Sequence, residues 1–219
     1  MELEVGFGNG VQRFTVPERN LQGVLTPNPV PHALTGEREV RRALSSPIGA
    51  PLLREVIHPG EKIAIITSDI TRPMPTYTVM PALLDELYAG GARPEDITLV
   101  FALGSHRAQT PEEMRHLAGE QAWAQIRCVD SDPADVVHLG VTSAGTPVDI
   151  TRVVAEADRR ICLGNIEYHY FAGYSGGAKA IMPGVSTPSA IQSNHSMMVR
   201  ESACAGNLEG NRSEERRVG

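Results

Sequence analysis

The sequence of 219 residues is short of several things, and each shortage excludes a class of protein. No apolar run reaches the roughly 18 residues a membrane-spanning helix needs, so a membrane protein is not expected. The opening MELEVGFGNG has neither a basic n-region nor an apolar h-region, so a secretory signal is not expected there. Cysteine is scarce: Cys128, Cys162 and Cys204 are odd in number and far apart. That spacing builds neither a disulfide framework nor a CxxC metal site, and suits a reducing cytoplasm. Basic charge is also short, with 20 Lys and Arg against 26 Asp and Glu and a net charge of −6. A nucleic-acid partner normally selects a basic field, so that class is set aside. There is no GxxxxGK[ST] phosphate loop and no HExxH or HxxxH pair. What is abundant is ordinary: 41% apolar and 21% charged residues, as in a soluble globular protein. With 21 Gly and 16 Pro, tight turns and ligand-facing loops are expected.

The hydrophobic pattern predicts an α/β fold: a mostly parallel sheet with flanking helices. Residues 1–16 read as two short strands joined near Asn9-Gly10, residues 17–35 as an extended loop, and Glu37 to Leu44 as a helix. KIAIITS (62–68) is a continuous apolar run, the mark of a strand buried on both faces. The segment TYTVMPALLDELYAGG then has helical spacing, with Pro81 read into its first turn and Gly90-Gly91 as its C-cap. DITLVFALG is a second buried strand. After the loop GSHRAQT, Thr110 is expected to cap a helix that has Pro111 first. This is the rhythm of βαβ units. Shorter strands follow (IRCVD, VVHLG, PVDI), then a helix in TRVVAEAD, a buried strand in RRICLGN, and a last helix capped by Ser186 or Thr187 that carries Ile191 and His195. The final RSEERRVG (212–219) resembles translated adapter sequence and is expected to be a non-native tail on a domain spanning 1–211.

Three polar loops each follow a predicted buried strand: SDITRP (68–73), ALGSHR (102–107) and NIEYHYFAGYSGGAK (165–179). Loops at the carboxyl ends of parallel strands gather on one edge of the sheet, where ligands bind. Asp69, Arg72, His106, His169 and Lys179 are therefore expected to converge. Arg72 has the fork that grips phosphate or carboxylate; the alternative is a turn in which Asp69 caps the next helix and Arg72 is solvated. A loop histidine such as His106 titrates near neutrality and suits general-base work, although a single histidine is more often a surface or packed one. His32, His58, His116 and His138 lie outside these clusters. Gly176 and Gly177 free the backbone to approach a ligand, with the N–H groups of a following helix facing an anion. Lys179 is a candidate nucleophile or attachment point. Asn194 and His195 sit on a helix face, where an imidazole can bind a borderline metal.

Taken together, SDITRPMP, ALGSHR, EYHYFAGYSGGAKAIMPGVS and NHSMM resemble the N-terminal half of the nickel-dependent lactate racemase family over about residues 1–211. The resemblance implies a racemase or epimerase of a 2-hydroxy acid, lactate first, in which hydride moves to a nickel pincer nucleotide. It implies His106 and His169 as paired acid/base residues. Asp69, Ile70, Thr71 and Arg72 would bind the cofactor nucleotide. Lys179 would carry the cofactor through a thioamide bond, and His195 would be the protein ligand to nickel. Tyr170, Phe171 and Tyr174 would tune the pocket or simply pack. A second α/β domain, absent here, would complete the cleft, so the fragment itself is expected to be inactive. Cofactor-synthesis proteins are the implied partners and the cytoplasm the implied location. The alternative is a mononucleotide- or metal-binding module without turnover; an acyl- or phosphoryl-transfer enzyme is the weaker third reading.

Overall fold

The computed structural model describes residues 1–211; the segment expected to be non-native, 212–219, lies outside them. The described chain divides into two units, Met1–Ala33 and the chain from Leu34 onward. In the first unit, β1 (Glu2–Phe7) and β2 (Gly10–Thr15) form an antiparallel hairpin. Phe7 pairs with Gly10, so the turn is Gly8-Asn9, one residue earlier than the sequence suggests. Gly8 takes φ 56°, the left-handed conformation a two-residue hairpin loop uses.

The second unit begins with α1 (Gly36–Ser45) and the short α2 (Leu53–Val56). Then β3 (Ile63–Ser68), α3 (Thr76–Ala89), β4 (Ile97–Ala102), α4 (Pro111–Gln125) and β5 (Arg127–Asp130) follow. A detached antiparallel pair, β6 (Val136–Val141) and β7 (Pro147–Thr151), leads through α5 (Arg152–Ala155) to β8 (Arg159–Cys162). The last part holds the small hairpin β9 (Tyr168–His169) and β10 (Gly173–Tyr174), then α6 (Pro188–His195).

The central sheet is four-stranded and wholly parallel, in the order β5-β4-β3-β8. The continuous apolar run of β3 has a direct cause. Successive side chains point to opposite faces of a strand, and both faces here are covered. Ile63 and Ile65 pack with Met80, Leu84, Leu87 and Leu117 of α3 and α4. Ala64 and Ile66 pack on the other face with Val154 and Val185. The expected caps form. The Thr110 hydroxyl accepts from Glu113 N–H at 3.2 Å while the Glu113 carboxylate accepts from Thr110 N–H at 2.9 Å, a reciprocal capping box. Thr187, rather than Ser186, caps α6 by accepting from Ala190 N–H at 3.3 Å. Pro81 departs from expectation, because α3 starts at Thr76 and the proline lies beyond the first turn, in the helix interior. There it removes the amide that would bond to the Tyr77 carbonyl.

Candidate functional site

The loops that follow β3, β4 and β8 leave the same carboxyl edge of the sheet and enclose a cavity of about 750 Å³. That is the size range of cofactor and small-molecule pockets. Of the residues singled out in the sequence, Asp69, Arg72, His106, His169, Lys179 and His195 line it. Ile70 and Thr71 do not. Ile70 turns into the core that α3 and α4 cover. Thr71 spends its hydroxyl on Asp69 Oδ1, at 2.7 Å.

The first two loops are bound to each other by buried polar groups. Asp69 is 2% exposed, and its Oδ2 lies 2.7 Å from His106 Nδ1. Ile70 N–H donates to Gln109 Oε1 at 2.8 Å. Gln109 in turn donates from its backbone and side-chain nitrogens to the Asp130 carboxylate, at 2.8 and 3.0 Å. One glutamine thus ties the β3 loop to the end of β5. Arg72 Nη1 donates to the Thr71 hydroxyl at 3.0 Å. At the outer side, Arg107 pairs with Glu113 at 2.7 Å, and this pairing, with the cap bond from Thr110, holds the Glu113 carboxyl down at about 2.

The third loop is organised differently. Ser175 Oγ donates to the Asn165 carbonyl at 2.8 Å and accepts from Glu167 N–H at 3.0 Å. Gly176 has φ 84°, and a Cβ there would lie 2.8 Å from the Asn165 carbonyl oxygen, so a side chain is excluded twice over. Lys179 follows in a four-residue 3-10 turn, Gly177–Ala180. The expected helix after the glycine pair is not formed, and no helix dipole faces the cavity from this side. Phe171, 9% exposed, sets its ring edge-on to both His169 and His195, with centroids 4.6 and 5.2 Å away. Tyr170 stacks on His169 at 5.0 Å. Gln109 and Asn165 carried no legible signal, being single polar residues in loops; Phe171 stood out only as one of several aromatics in a glycine-rich stretch.

The cavity suits a polar, nucleotide-sized ligand. Asn165, on its wall, has a buried Oδ1 without a hydrogen-bond partner, while its amide donates to the Pro73 carbonyl at 3.3 Å. An acceptor left in that state calls for a donor. Gly177, also on the wall, has open space where a Cβ would stand. Among the described residues no group of three or more His, Cys, Asp or Glu is arranged to hold a metal ion. Burial pushes the Cys128 thiol up to about 11, far from the thiolate that binds metals at neutral pH. No helix among the described residues is long and apolar enough to cross a membrane.

Comparison with known proteins agrees with this geometry. Residues 7–206 match the family described as the lactate racemase N-terminal domain. The lactate racemase of Thermoanaerobacterium thermosaccharolyticum is 34% identical over 198 residues, which cover 88% of this chain and 46% of that protein. The lactate racemase of Lactiplantibacillus plantarum is 38% identical over 168 residues, 74% of this chain and 39% of the relative. The chain therefore spans less than half the length of these curated relatives. The solved apoprotein structure of the T. thermosaccharolyticum lactate racemase superposes with a TM-score of 0.82 at 32% identity, covering 99% of this chain and 52% of that one. A Thermotoga maritima protein structure shares the fold at TM-score 0.65 and 20% identity, over 82% of this chain and 46% of its own. With motif, sheet topology and similarity in agreement, the chain belongs to the lactate racemase family and corresponds to its N-terminal domain.

Proposed function

We propose that this chain is the cofactor-binding and catalytic N-terminal part of a 2-hydroxy-acid racemase, lactate first, with a nickel pincer nucleotide as its cofactor. The observation that carries the reading is the shared cavity: two histidines, an arginine, a lysine and a helix-terminal histidine, from three separate loops and α6, line one space. When bound, the cofactor supplies an acceptor for the α-hydride of the substrate, so that the weakly acidic α-carbon need not lose a proton.

The chain's own residues then have defined tasks. His106 and His169 hold and release the proton of the substrate hydroxyl, one on each side. Arg72 binds an anionic oxygen, of the cofactor phosphate or the substrate carboxylate, through its planar fork. The Asp69–Thr71 turn presents Arg72 to the cavity. Gly176 and Gly177 let the ligand approach the backbone. Lys179 supplies the amine for covalent attachment, and His195 a single imidazole ligand to nickel. Aromatic rings at Tyr170 and Phe171 shield one side from water. Cofactor-synthesis proteins and a cytoplasmic location go with this reading.

Chiral chromatography of the full-length, cofactor-loaded protein with single enantiomers of lactate, malate and aryl-lactates tests it. Interconversion of at least one pair is expected; none across the panel overturns the proposal. In the same preparation, Lys179→Ala is expected to abolish the covalent cofactor mass. An adduct that persists in that variant removes Lys179 from the attachment role.

A further inference from the structure

His106 and His169 line the same cavity, yet their rings are held in opposite senses. The Asp69 carboxylate is buried, and every partner it has is a donor. Its Oδ1 takes the Thr71 hydroxyl at 2.7 Å and the Thr71 N–H at 3.3 Å; its Oδ2 meets His106 Nδ1 at 2.7 Å. A carboxylate only accepts hydrogen bonds, so His106 Nδ1 carries the hydrogen. The lone pair of the neutral ring is then on Nε2. At His169 Nδ1 the hydrogen comes from outside the ring instead: Ala172 N–H donates to it at 3.2 Å. In the neutral His169 ring the hydrogen is therefore on Nε2.

We propose that Asp69 is a positioning residue that holds His106 in the Nδ1–H tautomer and so makes His106 Nε2 the proton-accepting atom of the cavity, while the Ala172 amide holds His169 in the opposite tautomer, as a hydrogen-bond donor through Nε2. The proton of a substrate hydroxyl passes from oxygen to His106 Nε2. The imidazolium that results keeps its Nδ1–H on Asp69, whose negative charge stabilises it. His169 becomes a proton acceptor at Nε2 only after its hydrogen has moved to Nδ1, which gives up the Ala172 bond, so its turn in the acid/base pair starts from the opposite resting state. The two histidines are thus not interchangeable. What the proton comes from rests on the racemase reading; the tautomers do not.

Two-bond 1H–15N correlation spectra of the 15N-labelled protein, at about pH 8 where imidazoles are neutral, read each tautomer directly. Resonances are assigned with His106→Gln and His169→Gln. The expected spectrum has His106 protonated at Nδ1 and His169 at Nε2. In Asp69→Asn, His106 is expected to shift to the Nε2–H form or a mixture. In the loaded full-length enzyme the same variant is expected to lose about 100-fold in kcat with a much smaller change in KM. A wild-type His106 protonated at Nε2 overturns the proposal, as does an Asp69→Asn spectrum identical to wild type. The wild-type spectrum decides the matter even if the variant does not fold. Wrong tautomers in an active racemase sink this inference alone; the expected tautomers in a protein that racemises nothing sink the functional reading alone.

Discussion

The two walls of the cavity are built by different physics. The wall from the β3 and β4 loops is pinned by partly buried side-chain hydrogen bonds: His106 to Asp69, Gln109 to Asp130. The wall from residues 165 to 195 is shaped by backbone contacts and ring edges: Gly176 against Asn165, Phe171 between His169 and His195. Charge and direction hold the first; shape holds the second. One fold can therefore fix one histidine by a carboxylate and another by packing and a backbone amide, and give two like residues unlike proton chemistry.

The contrast can be broken most strongly at Phe171. Phe171→Ala removes a nearly buried ring and is expected to cost about 3 kcal/mol, read by urea denaturation. It should also move the ring resonances of His169 and His195 while leaving those of His106 in place. A shift at His106 of equal size would mean that the walls are not independent. Next in size, Gly176→Ala forces a Cβ against the Asn165 carbonyl at positive φ, at a cost of about 2 kcal/mol. Its damage should stay within the third loop. Gln109→Ala is the matching cut in the polar wall. It strips the Ile70 amide of its partner and removes one of the two bonds to the Asp130 carboxylate, the backbone one remaining, and should cost about 1–2 kcal/mol, and here His106 is the ring expected to respond.

The smallest effect lies at the rim. The Glu113 carboxyl is held at about 2 against an ordinary 4.5, by Arg107 first and by the Thr110 amide second. A depressed carboxyl stabilises the fold in its ionised form, fully above pH 4.5, and that contribution is lost as pH falls from 4.5 through about 2. The thermal midpoint of Glu113→Gln should therefore lie slightly below wild type near neutrality, with the gap closing over that window. A gap that stays constant with pH would assign the difference to the capping geometry rather than to charge.

Legibility followed the same division. The strands at Ile63–Ser68 and Ile97–Ala102 could be read directly, because a strand covered on both faces must be apolar throughout. The caps at Thr110 and Thr187 were legible because a side-chain oxygen before a proline at the first helical position has a local job. The convergence of three loops was legible too, as a consequence of parallel strands. Pro81 was misplaced by the sequence pattern, since nothing local marks where α3 begins: Thr76 follows Pro75 without a side-chain cap. The 3-10 turn at Gly177–Ala180 was read as a helix start because a glycine pair followed by Ala-Lys-Ala has no period long enough to tell the two apart.

The sequence by itself determined the α/β class, the buried strands and which loops carry reactive side chains, because these depend on the spacing of apolar residues along one chain. Only the tertiary structure decided how those side chains are used. Asp69 turns to His106, thirty-seven positions away in the chain, and Ile70 turns to the core. Gln109 reaches Asp130, and the Ala172 amide rather than a carboxylate meets His169. These choices depend on distances between segments remote in sequence, and a buried donor or acceptor takes whichever partner the packed fold brings within reach.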